Sequence, residues 1–133
     1  MLMDSTDKPR SKTPIAVKIA SEAEPVDCDG YFVEQDNGFE LEFGTPSARY
    51  VITHSEKNTR LSASGLLSYV LDFSEGGATE VVTPLGGINF SLTPVRREVV
   101  LGGDGIKLEL EYKLVGAGAE TLRAVKVDAR FLR

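Results

Sequence analysis

The chain has few of the residues that most often build rigid or reactive sites. It contains one cysteine, Cys28, one histidine, His54, and no tryptophan among 133 residues. A single cysteine excludes an internal disulfide framework and is typical of a reducing compartment. A single histidine excludes a multi-histidine metal centre, so we expect neither a metal nor another cofactor.

Long apolar runs and an excess of positive charge are also missing. No apolar run approaches the ~20 residues of a membrane-spanning helix, and the N-terminus lacks the basic-then-apolar order of a signal peptide. The net charge of -5 leaves no basic face for phosphate backbones. These absences predict a cytoplasmic protein that binds neither nucleic acid nor membranes.

The sequence is rich in apolar residues that alternate with polar ones. Residues 106–114 alternate without a fault, and the central stretch 66–94 contains two further alternating segments around a Gly-Gly turn and a Thr-Pro-Leu-Gly-Gly turn. This period of two is typical of strands with one buried face. We expect continuous antiparallel sheet across the central stretch and a further short strand after Pro94, over residues 96–101.

The number and spacing of these segments predict an all-β domain of about ten strands. Short turns throughout favour an antiparallel up-and-down (meander) β-barrel, with a two-sheet β-sandwich as the alternative. Residues 15–19 should close the barrel against residues 124–131, because closure removes both sheet edges. The domain should span residues 14–133, and the polar residues 1–13 should form a disordered tail.

One turn has a specific sequence signal. Asn37-Gly38 separates two apolar segments, and Asn-Gly supplies the positive φ angles of a tight hairpin. We expect both residues at the hairpin tip, with a positive φ at Gly38.

Short motifs along the chain carry a family resemblance. In order they are Gly30-Tyr31-Phe32-Val33-Glu34, Gly65 before an alternating strand that ends at Asp72-Phe73 with Gly76, Thr83-Pro84-Leu85-Gly86, Thr93, and Leu108-Glu109-Leu110-Glu111-Tyr112. The chain resembles the YwiB-like family of small bacterial proteins over nearly its whole length after Pro14. The resemblance implies a calycin-like, lipocalin-type β-barrel without an assigned activity.

Two features depart from that pattern. Similar proteins tend to have an arginine shortly before the glycine matched by Gly65, where this chain has Ala63 and Ser64. The Gly-x-Trp signature of true lipocalins is absent, so no lipocalin transport role follows.

The reactive side chains do not form a recognisable catalytic set. Cys28 and His54 could form a nucleophile pair only if the fold brought them together, and nothing in the sequence does so. The acidic residues of Asp27-Cys28-Asp29-Gly30 lack the closing Glu of a calcium loop. The paired glutamates at positions 40 and 42, and at 109 and 111, should lie on solvated strand faces. We therefore expect no enzyme activity.

Two classes of function remain. The barrel interior is expected to bind a small, mostly apolar ligand, because barrels of about eight strands can hold one. The candidate lining residues are Tyr50, His54, Tyr69 and Tyr112. The interior could equally be filled by Phe39, Phe43, Phe73, Phe90 and Leu110. The alternative is a non-catalytic protein–protein interaction module that binds a protein partner. With either function, the protein could be a monomer or a homodimer.

Overall fold

Ten antiparallel strands account for most of the chain in the computed structural model, which describes residues 12–20, 24–73, 77–116 and 118–132. They are β1 (Lys12–Ala20), β2 (Val26–Gln35), β3 (Gly38–Thr45), β4 (Ala48–Ser55), β5 (Thr59–Gly65), β6 (Tyr69–Asp72), β7 (Gly77–Thr83), β8 (Gly86–Leu101), β9 (Gly105–Gly116) and β10 (Ala119–Phe131). In these residues no helix is long and apolar enough to cross a membrane. β1 begins at Lys12, so its first two residues fall within the predicted tail, and residues 1–11 lie outside the described part of the chain.

The strands form one sheet in the order β6-β5-β4-β3-β2-β1-β10-β9-β8-β7. Every neighbour in this order is also a neighbour in the chain, except β1 and β10. The predicted up-and-down meander barrel is therefore confirmed, and the sandwich is excluded.

The first and last strands close the sheet as predicted. Ile15 lies opposite Phe131 and Ile19 opposite Val127, with regular register between them. β1 pairs on its other side with β2, so Val17 faces Cys28 as well as Ala129. Burying each apolar side chain of β1 contributes roughly 1.5–3 kcal/mol, which makes this closure a main source of stability.

A seam between β6 and β7 completes the circle. One bridge joins them, in which the Ser68 amide donates to the Val82 carbonyl at 3.0 Å and the Val82 amide to the Ser68 carbonyl at 2.8 Å. The Thr79 hydroxyl also donates to the Val70 carbonyl at 3.3 Å. The predicted continuous sheet across residues 66–94 is therefore wrong at this point, because the four residues of β6 pair regularly with β5 but a single isolated bridge joins this segment to β7. The predicted Gly-Gly turn falls partly on residues 74–76, outside the described residues.

β8 is one strand of 16 residues where the sequence predicted a break at Pro94. Pro94 pairs with Tyr112 and Arg96 with Glu111, so Val95 is the extra residue of a β-bulge. A bulge tolerates a proline, which has no amide hydrogen for the ladder. It also changes which residues face inward, and Arg97 lies opposite the buried Leu110 on the inner face.

The middle of the barrel is filled by its own side chains. Leu41, Phe43, Ile52 and Leu110 are 0% exposed. Four of the five residues proposed as filling are buried, and Phe90 is half-buried. The open volume lies at the two ends. We call the end with the β3–β4, β5–β6 and β7–β8 turns the mouth, and the end with the β2–β3 and β4–β5 turns the floor.

The hairpin between β2 and β3 differs from its prediction. Gln35 pairs with Gly38, so Asp36 and Asn37 form the two-residue loop and Gly38 is the first residue of β3. Gly38 has no positive φ. Glycine is required there for another reason, since a Cβ atom would overlap the carbonyl oxygen of His54 on the neighbouring strand.

Replacing Gly38 by alanine should destabilise the protein by about 1–3 kcal/mol, because overpacking forces the β3 and β4 backbones apart. Urea unfolding with a matched control, Gly103→Ala, measures this. A Cβ at Gly103 meets no atom within 4 Å, so the control should stay within about 0.5 kcal/mol of wild type. Equal midpoints for both variants would contradict the assignment.

Candidate functional site

A cleft of about 370 Å³ opens at the mouth of the barrel. Its apolar walls include Ile19, Val26, Leu61 and Val125, and its polar side includes Tyr50 and Tyr69. We call this the mouth cleft. Two of the four residues predicted to line a ligand site therefore lie in it.

The register explains why the two tyrosines lie together. Tyr50 on β4 is opposite Ala63 on β5, and Ala63 is in turn opposite Tyr69 on β6. The small alanine thus stands between two inward-facing rings and leaves room between them.

Packing and burial hold both rings in place. Tyr50 stacks on Phe43 with ring centroids 5.3 Å apart. Burial raises the pKa of Tyr69, the neighbouring Tyr50 adds to the increase, and the positive charge of Arg123 opposes it. The Tyr69 hydroxyl is therefore neutral at neutral pH and can both donate and accept a hydrogen bond.

Tyr112, a third predicted site residue, lies in the packed interior. It is 6% exposed and its ring meets Phe73 edge-on at 5.3 Å. It is not part of the mouth cleft lining. Tyr112 therefore belongs to the filling of the barrel.

His54, the fourth predicted residue, lies at the floor. It is four residues from Tyr50 on the same strand, about 13 Å away, and the fully buried Ile52 stands between them. The four predicted residues thus do not form one site.

A hydrogen-bonded network surrounds His54. Its Nδ1 lies 2.7 Å from Oγ1 of Thr59, and Nη1 of Arg97 donates to the same hydroxyl at 3.1 Å. Thr59 is 0% exposed, and the His54 ring packs on Phe39 with centroids 5.2 Å apart. We call His54, Thr59 and Arg97 the floor network. Burial, and then the charge of Arg97, lower the pKa of His54.

The floor network borders a second cleft. This cleft, about 470 Å³, lies between the β2–β3 and β4–β5 turns and is lined by His54 with polar residues such as Asn37, Asn58 and Arg60. Its described lining includes no aliphatic side chain, whereas small-molecule sites are lined mainly by apolar residues. We therefore give the mouth cleft priority as the candidate site.

The other reactive groups stay apart. Cys28 lies in β2 near the mouth and His54 near the floor, separated by about six residues, or about 20 Å, along the sheet. Burial raises the pKa of the Cys28 thiol, and the charges of Asp27 and Asp29 raise it further. In the part of the chain that the structure describes, no group of three His, Cys, Asp or Glu side chains could hold a metal ion.

The paired glutamates lie on the outer face, as expected. Arg96 contacts Glu98 at 3.0 Å, Glu109 at 3.3 Å and Glu111 at 3.4 Å. Glu40 and Glu42 share a hydrogen bond, and Lys12 lies 3.3 Å from Glu42. Burial and the contact with Glu42 raise the pKa of Glu40, whereas the hydrogen bond from Glu40 lowers that of Glu42.

Three polar residues near these sites were missed by the sequence analysis. Thr59 and Arg97 were not detectable, because a buried threonine has no special pattern and the bulge at Val95 reverses the alternation before Arg97. Arg123 was detectable: the inward alternation of Val127 and Val125, extended by two residues, places it on the inner face.

Comparisons with known proteins agree with the fold. No protein-family model and no curated protein matches the chain. The crystal structure of the YwiB protein from Bacillus subtilis is similar, with a TM-score of 0.75 and 12% sequence identity over 92% of this chain and 94% of that one. At this identity the likeness concerns the fold alone. The YwiB-like fold is confirmed, and the calycin-like assignment stays a prediction.

The floor network predicts a pH effect on stability. A lowered His54 pKa means that the folded protein binds fewer protons than the unfolded chain, so stability should be lost as the pH falls through the ordinary value of about 6.5. His54→Gln should make the urea midpoint depend less on pH between pH 7.5 and pH 5. In a nuclear magnetic resonance titration of the single histidine, Arg97→Gln should raise its pKa. A wild-type ring that titrates at or above 6.5 would contradict this.

Replacing Glu40 and replacing Glu42, the pair on the outer face of β3, should change the free energy of unfolding with opposite signs. Because the folded pKa of Glu40 is raised, its ionised form costs stability that is recovered below the unfolded value. Glu40→Gln should therefore stabilise the protein by about 0.5 kcal/mol at pH 7 and not at pH 4, as expected for surface charge pairs. Glu42→Gln should destabilise it at pH 7. Urea unfolding that gave the same sign for both would disprove the arrangement.

Proposed function

We propose that this protein binds a small, mostly apolar molecule with a polar end in the mouth cleft. The observation that carries the proposal is one cleft whose lining combines apolar side chains with two tyrosines that flank Ala63 in the sheet. Small-molecule sites commonly combine a largely apolar lining with a few converging polar groups. Tyr50 and Tyr69 supply such groups, and Leu61 and Val125 are among the apolar ones.

The filled interior limits what can bind. Below the cleft, Ile52 and Leu110 are 0% exposed, so a ligand cannot pass deeper without displacing the core. The cleft volume of about 370 Å³ is near the lower end of ligand sites, roughly 300–1,000 Å³. The ligand that fits is therefore small and is held at one end of the barrel.

We propose that the protein binds its ligand and catalyses no reaction. Among the described residues, the lining of the cleft contains no histidine, cysteine or lysine, so no strong base or thiol stands beside its hydroxyl groups. We place the protein in the cytoplasm as part of the same proposal, since a lone, buried Cys28 suits a reducing compartment.

A protein–protein interaction module is the second candidate. Leucines at two turns of the mouth are unusually exposed: Leu66 by 75%, Leu67 by 47% and Leu85 by 99%. Exposed apolar surface of this kind can mark an interface with a partner protein or a second copy of the chain. Sedimentation velocity of wild type against a Leu66→Ser, Leu85→Ser double variant separates monomer from homodimer.

The binding proposal is tested with decanol, which has an apolar chain and a neutral polar end. We expect saturable binding, with chemical-shift changes confined to the mouth. Removing both hydroxyls, in the double variant Tyr50→Phe, Tyr69→Phe, should weaken binding about 5- to 150-fold, because each of the two neutral hydrogen bonds contributes about 0.5–1.5 kcal/mol.

Two matched controls locate the effect. Tyr31→Phe removes a hydroxyl from the outer face, where Tyr31 is 45% exposed, and Tyr112→Phe removes one from the packed interior. Both should leave the affinity unchanged. The untagged protein, purified from its native host, should also release a stoichiometric small molecule into organic solvent. No saturable binding together with no co-purified compound would overturn the proposal and favour the interaction module.

A further inference from the structure

A second cleft, at the floor of the barrel, has a lining unlike that of the mouth cleft. We call the cleft of about 470 Å³ between the β2–β3 and β4–β5 turns the floor cleft. Every side chain that the structure describes in its lining carries a polar group, including the carboxamides and hydroxyls of Gln35, Asn37, Thr53, Ser55 and Asn58. Carboxamides and hydroxyls both donate and accept hydrogen bonds. The lining is therefore complementary to a ligand whose own groups do the same.

The ionised groups that line the floor cleft balance one another. Among the described lining residues, Asp36 has one negative charge and Arg60 one positive charge, and the Arg60 guanidinium contacts Asp72 at 3.3 Å. Burial, and then the charge of Arg97, lower the pKa of His54, so its ring is neutral at pH 7. An ion that entered this cleft would lose hydration without meeting a net opposite charge. The balance of charges therefore favours a neutral ligand.

The floor network fixes the ring of His54 from the buried side. The Thr59 hydroxyl is 0% exposed and lies 2.7 Å from Nδ1 of His54, and Nη1 of Arg97 donates to the same hydroxyl at 3.1 Å. Nδ1 is thus turned toward a buried group, and Nε2 is the ring nitrogen that remains for the floor cleft. A side chain held in this way loses little freedom when a ligand binds, which favours a role in recognition.

The two turns that form the walls of the floor cleft are also held in place. Gln35 pairs with Gly38 across the β2–β3 turn, and in the β4–β5 turn the Ser55 amide donates to the Asn58 carbonyl at 2.7 Å. Gly38 packs directly on the backbone of His54, which brings the turns together. The cleft is therefore preformed, and its volume of about 470 Å³ lies within the range of ligand sites, roughly 300–1,000 Å³.

We propose that the floor cleft is a second binding site and that its ligand is a small neutral saccharide. Each sugar hydroxyl donates one hydrogen bond and accepts others, as do the carboxamides and hydroxyls of the lining. Nε2 of His54 supplies one fixed contact, and Asn37 and Asn58, on the two turns, supply others. Thr59 is a positioning residue that acts through His54. The site is at the opposite end of the barrel from the mouth cleft and does not depend on the proposed function.

The test titrates glucose, galactose and mannose separately into the untagged full chain at pH 7. At least one hexose should cause saturable chemical-shift changes at the backbone amides of Asn37, Gly38, Ser55 and Asn58. Glucuronate and glucosamine, which add a negative or a positive charge to the same ring, should bind about threefold or more weakly than glucose. Cyclohexanol, a ring with a single hydroxyl, should cause no change at these amides.

Two variants attribute the binding to the lining. Asn37→Gly removes a carboxamide and keeps a residue that suits a turn, and His54→Phe removes both ring nitrogens and keeps an aromatic ring beside Phe39. Each should weaken hexose binding about 2- to 13-fold, as expected for one neutral hydrogen bond. Asn89→Gly is the matched control, because Asn89 is an exposed asparagine of β8 outside the floor cleft. It should leave the affinity unchanged.

Thr59 is tested by a readout of the His54 ring itself. Thr59→Val removes the hydroxyl at nearly equal volume, so it should weaken hexose binding and change the ¹⁵N chemical shifts of the two ring nitrogens of His54. Thr59→Ser keeps the hydroxyl and should retain both wild-type properties. Unchanged ring shifts in folded Thr59→Val would overturn the positioning role.

The remaining outcomes decide the site and its ligand class. No saturable change at the floor with any of the three hexoses, or an equal loss of affinity in Asn37→Gly and Asn89→Gly, would overturn the saccharide site. Tighter binding of glucuronate than of any hexose would assign an anion site, and tighter binding of glucosamine that vanishes in Asp36→Asn would assign a cation site. Either result overturns the neutral ligand. Decanol binding at the mouth is measured separately, so its failure would overturn the proposed function alone.

Discussion

Closure of the sheet is the constraint on which the rest of this structure depends. Each strand must pair on both edges, because unpaired backbone groups cost free energy and invite association with other chains. The β1–β10 ladder joins the two ends of the chain, and the Ser68–Val82 bridge closes the opposite side. The nearly closed wall surrounds Leu41, Ile52 and Leu110, which are 0% exposed, so the core and the closure of the sheet support each other.

The filled core makes the two ends of the barrel independent sites with different properties. At the floor, the buried Thr59 bonds to both His54 and Arg97, and a satisfied network of this kind fixes side-chain positions. At the mouth, Ala63 separates Tyr50 from Tyr69 and leaves an open volume. The floor thus combines a polar network with a polar cleft, whereas the cleft at the mouth has apolar walls.

The outer face is organised by charge. Asp27 lies opposite Lys18, Lys18 opposite Asp128, and Asp128 opposite Lys107, so opposite charges alternate across four neighbouring strands. Cross-strand pairs of this kind each contribute roughly 0.2–1 kcal/mol. Their larger effect is on register, since a slip of one residue would turn these charges into the core. This face explains most of the charged residues without any site.

The sequence by itself determined the strands, the meander and the closure, because a period of two and short turns are local properties of the chain. Alternation alone assigned Ile106 and Leu110 to the core and Glu109 to solvent. Only the tertiary structure decided that the cleft at the mouth has apolar walls and the cleft at the floor polar ones. It joined Tyr50 to Tyr69 through Ala63 and separated both from His54 and Tyr112, and the bulge at Val95 turned Arg97 inward. These relations depend on register between strands distant in sequence and on how side chains fill a closed space, and no local pattern encodes either.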